Sequence, residues 1–480
     1  MEEKSLCARL KVKNLNKKVV FVYINYWAFN TKIKSKEQKI KGGSFIMKKC
    51  LKVVALAILV VFSISVVLVG QMGEKKVQGA TNELTFWSWV SDSDTIKQVY
   101  EQAIKEFNST NKYGVKIKAV YTPGEQYKTK LQTAMAANNP PDILNMWAAG
   151  KMKPYVDANR LYPISDIMNK DSQWKSRYVD GVFDLTTFNG KIYGIPQIRV
   201  ATVIYYNKQI FQKYKLTPPK TWSELVNVIK VLTKNNIIPF ALDARDPWIL
   251  AMYAEYIANR IDPDAYRKVQ KDPNAWTDKA FIETGKKIQE LVKLGAFPKG
   301  ATSLDYVAAR NLFDQGKAAM YVMGIWDVGY LSTQSPVKKY VGAFKWPAIE
   351  GGKGNINNFL AGIEQVIAVS SNCKNKQAAA AWLKLLSEQR YAKDLLAEKA
   401  GYFPTVKVNP DPKKVTGLYL EVLNLLKDQN TKDSFTYYDV MFGPIIGDGF
   451  NNTIQSIYLG KDPVEAFKKL AEIAKKEMKK

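Results

Sequence analysis

The 480 residues include no histidine, and that absence removes the side chain that most often serves as general base or metal ligand near neutral pH. Ser-His-Asp and Cys-His nucleophile systems are excluded with it, as is most zinc chemistry. Three cysteines occur, and Cys373 stands far from Cys7 and Cys50, so neither a metal cluster nor a disulfide framework is expected. Carboxylates are plentiful, yet no hydrolase or lyase motif accompanies them, and paired-acid catalysis needs two of them held a fixed distance apart. Gly-rich or Ser/Thr amide nests of the kind that hold phosphate do not occur. Aromatic side chains are what the chain offers in quantity, with 11 Trp and 26 Tyr. Trp87 and Trp89 end the strand pattern Leu84-Thr85-Phe86-Trp87 at its carboxyl edge, where ligands of open α/β sheets bind. Trp89 is expected to face a ligand and Trp87 the core. Such residues stack and hydrogen-bond; no catalytic residue, metal or cofactor is expected.

The elements that must position these rings alternate along the chain. Ile96, Val99, Tyr100, Ala103 and Phe107 recur at helical spacing, and Val115, Ile117 and Ala119 then alternate with lysines as a strand. A helix from Tyr127 to Ala137, with Tyr127 a further ligand candidate at its start, leads through Asn138-Asn139-Pro140-Pro141 into a short strand at 142–146. Thr221 and Glu224 have capping-box spacing ahead of the apolar face Leu225, Ile229 and Leu232. Stretches around Trp382 to Leu386, Leu418 to Leu426 and Ala466 to Met478 read as later helices. This alternation predicts an α/β class with two open sheets, and 480 residues are too many for one core.

The formal charge is +27, but residues 1–80 hold 16 Lys/Arg against 4 Asp/Glu, leaving 55 against 40 in the rest. The remaining lysines are scattered rather than massed in a stripe. That suits a solvated surface or loose attraction to an anionic envelope, and nucleic acid is not an expected partner. Lys48, Lys49 and Lys52 precede Val53 to Gly70, an uncharged apolar run, which is the layout of an export signal. Met47 lies just ahead, so residues 1–46 read as an upstream extension before the true start, and 47–80 as signal and linker. The run is near the lower limit for crossing a bilayer. A cleaved signal and a retained N-terminal anchor both stay open, and export to the periplasm or the outer face of the cytoplasmic membrane is expected with either.

Six short motifs then follow in one order: Pro140-Pro141-Asp142-Ile143, Tyr193-Gly194-Ile195-Pro196, Tyr205-Tyr206-Asn207-Lys208, Pro219-Lys220-Thr221-Trp222, the run from Phe313 to Met320, and Ala400-Gly401-Tyr402-Phe403-Pro404. Together they resemble the family 1 extracellular solute-binding proteins of ABC sugar importers, the family that includes maltose-binding protein, over residues 81–480. The resemblance implies a two-lobed periplasmic-binding-protein-like fold, each lobe an open sheet flanked by helices, with a ligand cleft between them. It assigns 81–198 with 350–405 to an N-terminal lobe and 199–349 with 406–480 to a C-terminal lobe. Chain crossings are then expected near Pro196 to Val203, within Lys345 to Ala361 and near Thr405 to Lys407. It further implies a carbohydrate ligand, an oligosaccharide, captured by lobe closure and delivered to the transmembrane subunits of an ABC permease by a monomer that is not an enzyme.

A sugar ring has apolar C–H faces and a hydroxyl edge, so its cleft needs flat aromatic walls and fixed polar groups. By the resemblance, Trp326 in Met323-Gly324-Ile325-Trp326-Asp327 stacks on sugar and Trp147 supplies a wall after the 142–146 strand. Asp246 and Trp248 pair a hydroxyl acceptor with a stacking face, while Phe313 and Met320 go to the core. Arg199 falls where maltose-binding protein carries an acidic residue; a buried Arg there would donate to hydroxyls or pair with a uronate. Glu364, Tyr438 and Asp439, with Tyr437, complete the candidates. The alternatives are the same fold binding a non-carbohydrate solute such as a peptide, and a carbohydrate-active hydrolase or lyase.

Overall fold

The computed structural model describes residues 82–429 and 434–479; the upstream extension and export segment expected within residues 1–80 lie outside the described residues. The first strand, β1 (Glu83–Ser88), buries every second residue, the period that one covered sheet face demands. Helix α1 (Ile96–Thr110) buries Ile96, Val99, Tyr100, Ala103, Ile104 and Phe107, a stripe at spacings of three and four. β2 (Lys116–Tyr121), helix α2 (Glu125–Ala136), β3 (Ile143–Met146) and helix α3 (Ala149–Asp157) follow. β1 pairs in parallel with β2 on one side and β3 on the other. The motif residue Asp142 staples this layer: its carboxylate accepts from Thr85 N at 2.9 Å, Thr85 Oγ1 at 3.1 Å and Lys374 N at 3.0 Å.

A small hairpin, β4 (Thr187–Phe188) and β5 (Lys191–Ile192), precedes the long strand β6 (Gly194–Asn207). Helix α4 (Trp222–Lys234), β7 (Ile238–Ala241), helices α5 (Pro247–Ile261) and α6 (Tyr306–Asp314), β8 (Ala318–Gly324), β9 (Val341–Phe344) and β10 (Ala361–Val369) come next. At its start α4 departs from the expected box by one residue. Thr221 Oγ1 accepts from Glu224 N at 3.3 Å, but Glu224 reaches back to Lys220 N at 2.7 Å instead of to Thr221. The chain ends in α7 (Lys376–Leu386), α8 (Gly417–Lys427), α9 (Tyr438–Tyr458) and α10 (Pro463–Glu477). Among the described residues no helix is long and apolar enough to cross a membrane.

The strands form one ladder ordered β2-β1-β3-β10-β6-β8-β7, with β9 also on β6. The two expected sheets are thus joined edge to edge through β6. Its first part, residues 194–201, pairs antiparallel with β10. Its second part, from Thr202 to Asn207, pairs with β8 and β9. β7 and β8 are parallel. All seven residues of β8 are buried, as expected where helices cover both faces, and Phe313 and Met320 lie fully in the core.

Two glycines allow the last part of the chain to reach the first. α9 breaks at Gly443, whose φ is +72°, and Pro444 restarts it. A β-carbon on Gly150 of α3 would come within 2.3 Å of Met441 O and 2.5 Å of Gly443 N. Gly150→Ala is expected to destabilise the protein by about 1–3 kcal/mol through backbone overpacking. Gly417→Ala, where apart from its chain neighbours and its own helix backbone no atom lies within 4 Å of the added carbon, should change stability by no more than about 0.5 kcal/mol. Denaturant unfolding of the two variants checks both.

Candidate functional site

Parallel strands deliver side chains to one edge of a sheet. In the first sheet, β1 ends at Ser88 and is followed by Trp89, and β3 ends at Met146 and is followed by Trp147. In the second, β7 ends at Ala241 ahead of Asp243, Asp246 and Trp248, and β8 ends at Gly324 ahead of Trp326 and Asp327. Four strand ends therefore carry the main candidates.

On the first sheet, Trp89 and Trp147 stack with centroids 4.7 Å apart and planes 3° from parallel. Tyr127, fully buried, presents its ring at steep angles to both, 5.6 Å from Trp89 and 6.3 Å from Trp147. Its hydroxyl donates to the carbonyls of Trp87 and Asn145, which fixes the ring behind the pair; Tyr127 supports the wall and does not line it. Trp87, expected in the core, is only half-buried, with the Lys130 ammonium 4.1 Å from its ring centroid. Residues two apart on a strand share a face, so β1 sends Phe86 inward and Trp87 the other way. Ala149, two residues beyond Trp147, has φ +48°, a left-handed conformation that costs a non-glycine residue about 1–2 kcal/mol. Lys151 lies 5.1 Å from the Trp147 ring and pairs with Asp439.

On the second sheet, the Trp326 ring lies 6.2 Å from Trp248 and 6.1 Å from Tyr437, and Trp248 stacks on Tyr306 at 6.4 Å. Trp326 folds back over Gly324, where a β-carbon would come within 2.0 Å of the indole. Beneath it is a buried polar group. Asp327 accepts from Tyr306 at 2.5 Å and Tyr321 at 3.1 Å, and the Arg310 guanidinium is 3.6 Å away. Arg310 in turn lies 3.5 Å over the Tyr330 ring and donates to Ser93 Oγ at 3.3 Å. Burial pushes the Asp327 carboxyl up to about 6 against the pull of Arg310. Asp246 takes the N-cap position of α5 without capping it by its side chain, and its N–H donates to the buried Asp243 at 2.9 Å.

Glu364 of β10 belongs to this environment from both sides. Its carboxyl is raised to about 8, chiefly by burial, with the charges of Asp439, Asp94 and Asp327 adding and Lys151 opposing. Among the described residues none donates a hydrogen bond to it, which leaves an acceptor open. The next residue, Gln365, has φ +51°, so left-handed backbone occurs close to both Trp147 and Glu364.

Two candidates fall elsewhere. Tyr438 is fully buried among Tyr266, Trp276, Phe442 and Phe450, and its hydroxyl accepts from Asn259 Nδ2 at 2.9 Å, so it is core. Its neighbour Tyr437 is the one that meets Trp326, held by a hydroxyl contact to Thr202 Oγ1 at 2.8 Å. Arg199 was expected as a buried donor in the cleft. It is exposed instead, its Nε donates to Pro404 O at 3.1 Å, and it lines a groove with Val406, Lys407 and Lys393 that none of the aromatic walls enters. Lys151, Asp243, Tyr306, Arg310 and Asp327 were not singled out from sequence. Asp243 and Asp327 follow strand ends, which was the available signal.

The Glu364 shift gives stability a pH dependence. In the unfolded chain the group ionises near its ordinary value of 4.5, while in the folded state it holds its proton to about 8. The folded state binds more protons across that window, so the group's contribution falls as pH rises from 4.5 towards 8. Glu364→Gln should therefore leave the melting temperature unchanged near pH 4 and raise it at pH 8, as read by calorimetry across that range.

The model of the family described as bacterial extracellular solute-binding protein matches residues 92–393. An ABC-transporter extracellular-binding protein of Pyrococcus horikoshii is 31% identical over 260 residues, 52% of this chain and 57% of that relative. A solved structure from work on xylan utilization by the thermophilic bacterium Caldanaerobius polysaccharolyticus superposes with a TM-score of 0.74 at 31% identity, covering 81% of this chain and 99% of that one. A chitin oligosaccharide binding protein gives 0.75 at 25% identity, covering 82% and 98%. With residues 92–393 of its 480 matched by that family model, the chain belongs to the bacterial extracellular solute-binding proteins.

Proposed function

We propose that this protein binds an oligosaccharide between its two lobes and delivers it to the transmembrane subunits of an ABC importer, with no chemical step of its own. The observation that carries the reading is the pair of aromatic walls at the ends of β1, β3, β7 and β8, with the unpartnered Glu364 carboxyl in the same surroundings. Flat indole faces match the C–H faces of sugar rings, and carboxyl groups hydrogen-bond to hydroxyls. Trp326, Trp248, Trp89, Trp147 and Tyr437 form the stacking surface, and Glu364, Asp439 and Asp246 are the acceptors. The oligosaccharide named for the chitin-binding relative and the xylan context of the other support the same ligand class.

The lobes are taken as 81–198 with 350–405 and 199–349 with 406–480. Closure bends β6 and desolvates ligand hydroxyls, so affinity depends on how completely each is paired. The protein works as a monomer on the outer side of the cytoplasmic membrane.

Calorimetric titration with xylo-, chito-, galacto- and malto-oligosaccharides tests this. Saturable one-to-one binding is expected for at least one series, weakened by Trp326→Ala at least about tenfold, which is about 1.4 kcal/mol. Tyr127→Phe should weaken it less, because that residue acts through the Trp89 and Trp147 rings. Silence across the panel from a folded protein would overturn the sugar reading. Release of shorter products on prolonged incubation would overturn the claim of pure binding.

A further inference from the structure

A concave site lies away from the aromatic walls, where β6 meets the segment after Phe403. It has a volume of about 530 Å³, and its lining includes Val179, Arg199, Lys393, Val406, Lys407 and Val408. A smaller hollow of about 240 Å³ adjoins it, sharing Gln389 and Lys407 and adding Arg177, Ser387 and Glu388. The larger one has three cationic lining residues and no acidic one.

The backbone holds this site rigidly. Arg199 N donates to Phe403 O at 2.7 Å, Thr405 N to Gln197 O at 3.1 Å, Val179 N to Thr405 O at 2.9 Å and Lys407 N to Arg177 O at 2.7 Å. Three chain segments are therefore laced together, and Arg199, Lys407 and Arg177 project from adjoining rungs. Side-chain bonds fix two of them further: Arg199 Nε to Pro404 O, and Arg177 Nη1 to Ser387 Oγ at 3.0 Å. No carboxylate pairs with Arg199 among the described residues. Lys407 lies 3.3 Å from Asp180, which is almost fully exposed, and Lys393 lies 3.7 Å from Glu398, which also serves Lys414. The exposed Lys407–Asp180 pair neutralises little, and the nearly buried Glu398, shared by Lys393 and Lys414, leaves one positive charge over between those two lysines. A fixed guanidinium fork beside two ammonium groups is the donor set that oxyanions take.

We infer that this groove is a second binding site, independent of the sugar reading, for a phosphate-type oxyanion held by Arg199, Lys393 and Lys407. Its volume exceeds what a bare phosphate fills, and Val179, Val406 and Val408 give an apolar flank for the body that carries the anion. That chemistry is offered by a free phosphate or phosphate ester and by an anionic lipid headgroup.

The test uses the full chain, the double variant Arg199→Gln/Lys407→Gln and the single variant Lys393→Gln. Inorganic phosphate is titrated by calorimetry, and vesicles of phosphatidylglycerol are compared with vesicles of phosphatidylcholine by sedimentation. Saturable phosphate binding that weakens at least tenfold in the double variant supports the site with a free anion as its source. A preference for phosphatidylglycerol that falls in the double variant, without phosphate binding, supports it with a headgroup as its source. Lys393→Gln, at a half-exposed position, should weaken the same signal, and Trp326→Ala should leave it unchanged. Absence of both signals, or signals equal in wild type and in both groove variants with unchanged circular dichroism, overturns the inference.

Discussion

One strand, β6, has to satisfy two sheets, and most of the architecture follows from that requirement. Its fourteen residues span roughly 46 Å at about 3.3 Å each, too long for the partners of either sheet alone. The switch of partners falls between Ala201, paired with Ala361, and Thr202, paired with Gly324. At that switch Thr202 ties Tyr437 by its hydroxyl and Tyr256 by its carbonyl. The strand that joins the sheets thus also anchors an aromatic residue beside Trp326. A backbone ladder resists shear but bends with small changes in φ and ψ, so a shared strand permits hinge motion while the register of both sheets holds.

The electrostatics between the walls follow from the same geometry. Glu364, Asp327 and Asp94 are all raised, and burial is the first cause for each. Cations are present, with Arg310 beside Asp327 and Lys151 beside Asp439, but the carboxylates outnumber them. A carboxyl with a raised pKa can donate a hydrogen bond while protonated and accept one in either state, so Glu364 can meet a neutral hydroxyl across that range. The uronate expected as one partner of Arg199 has no support here, because Arg199 projects into the other groove.

The fold was legible because its signals are local. Alternation in β1, the stripe of α1 and the Asn-Asn-Pro-Pro stop each reflect a constraint acting within a few residues, and the structure shows them where the sequence places them. The strand-end tryptophans were legible for a related reason, since the carboxyl edge of a parallel strand can be read once the strand is known. What failed depends on neighbours distant in sequence. Tyr437 and Tyr438 are equivalent as letters and both are buried; Glu255 Oε1, accepting from Tyr438 N at 2.8 Å, and Asn259, donating to its hydroxyl, hold Tyr438 among Tyr266 and Trp276 while Tyr437 meets Trp326. Arg199 was misplaced because strand parity depends on its pairing with Ile363 and the bridge of Ile198 to Pro404. Trp87 was misjudged although parity alone, two residues from Trp89, argues for a shared face.

Placing the walls on strand ends has an energetic consequence for binding. Trp89 and Trp147 already stack on each other, Trp248 on Tyr306, and Tyr127 is locked behind them by two carbonyls. Rings held this way have few rotamers left to lose, so stacking on a ligand costs little additional side-chain entropy. The left-handed backbone at Ala149 and Gln365 is the opposing cost, and it falls close to Trp147 and Glu364. Strain of about 1–2 kcal/mol at such a residue persists only where the surrounding fold over-determines it. Here the packing of α3 against the Gly443 break and the pairing of β10 with both β3 and β6 supply that constraint. The left-handed backbone at Ala149 and Gln365 is thus held by backbone packing and strand pairing away from the aromatic rings.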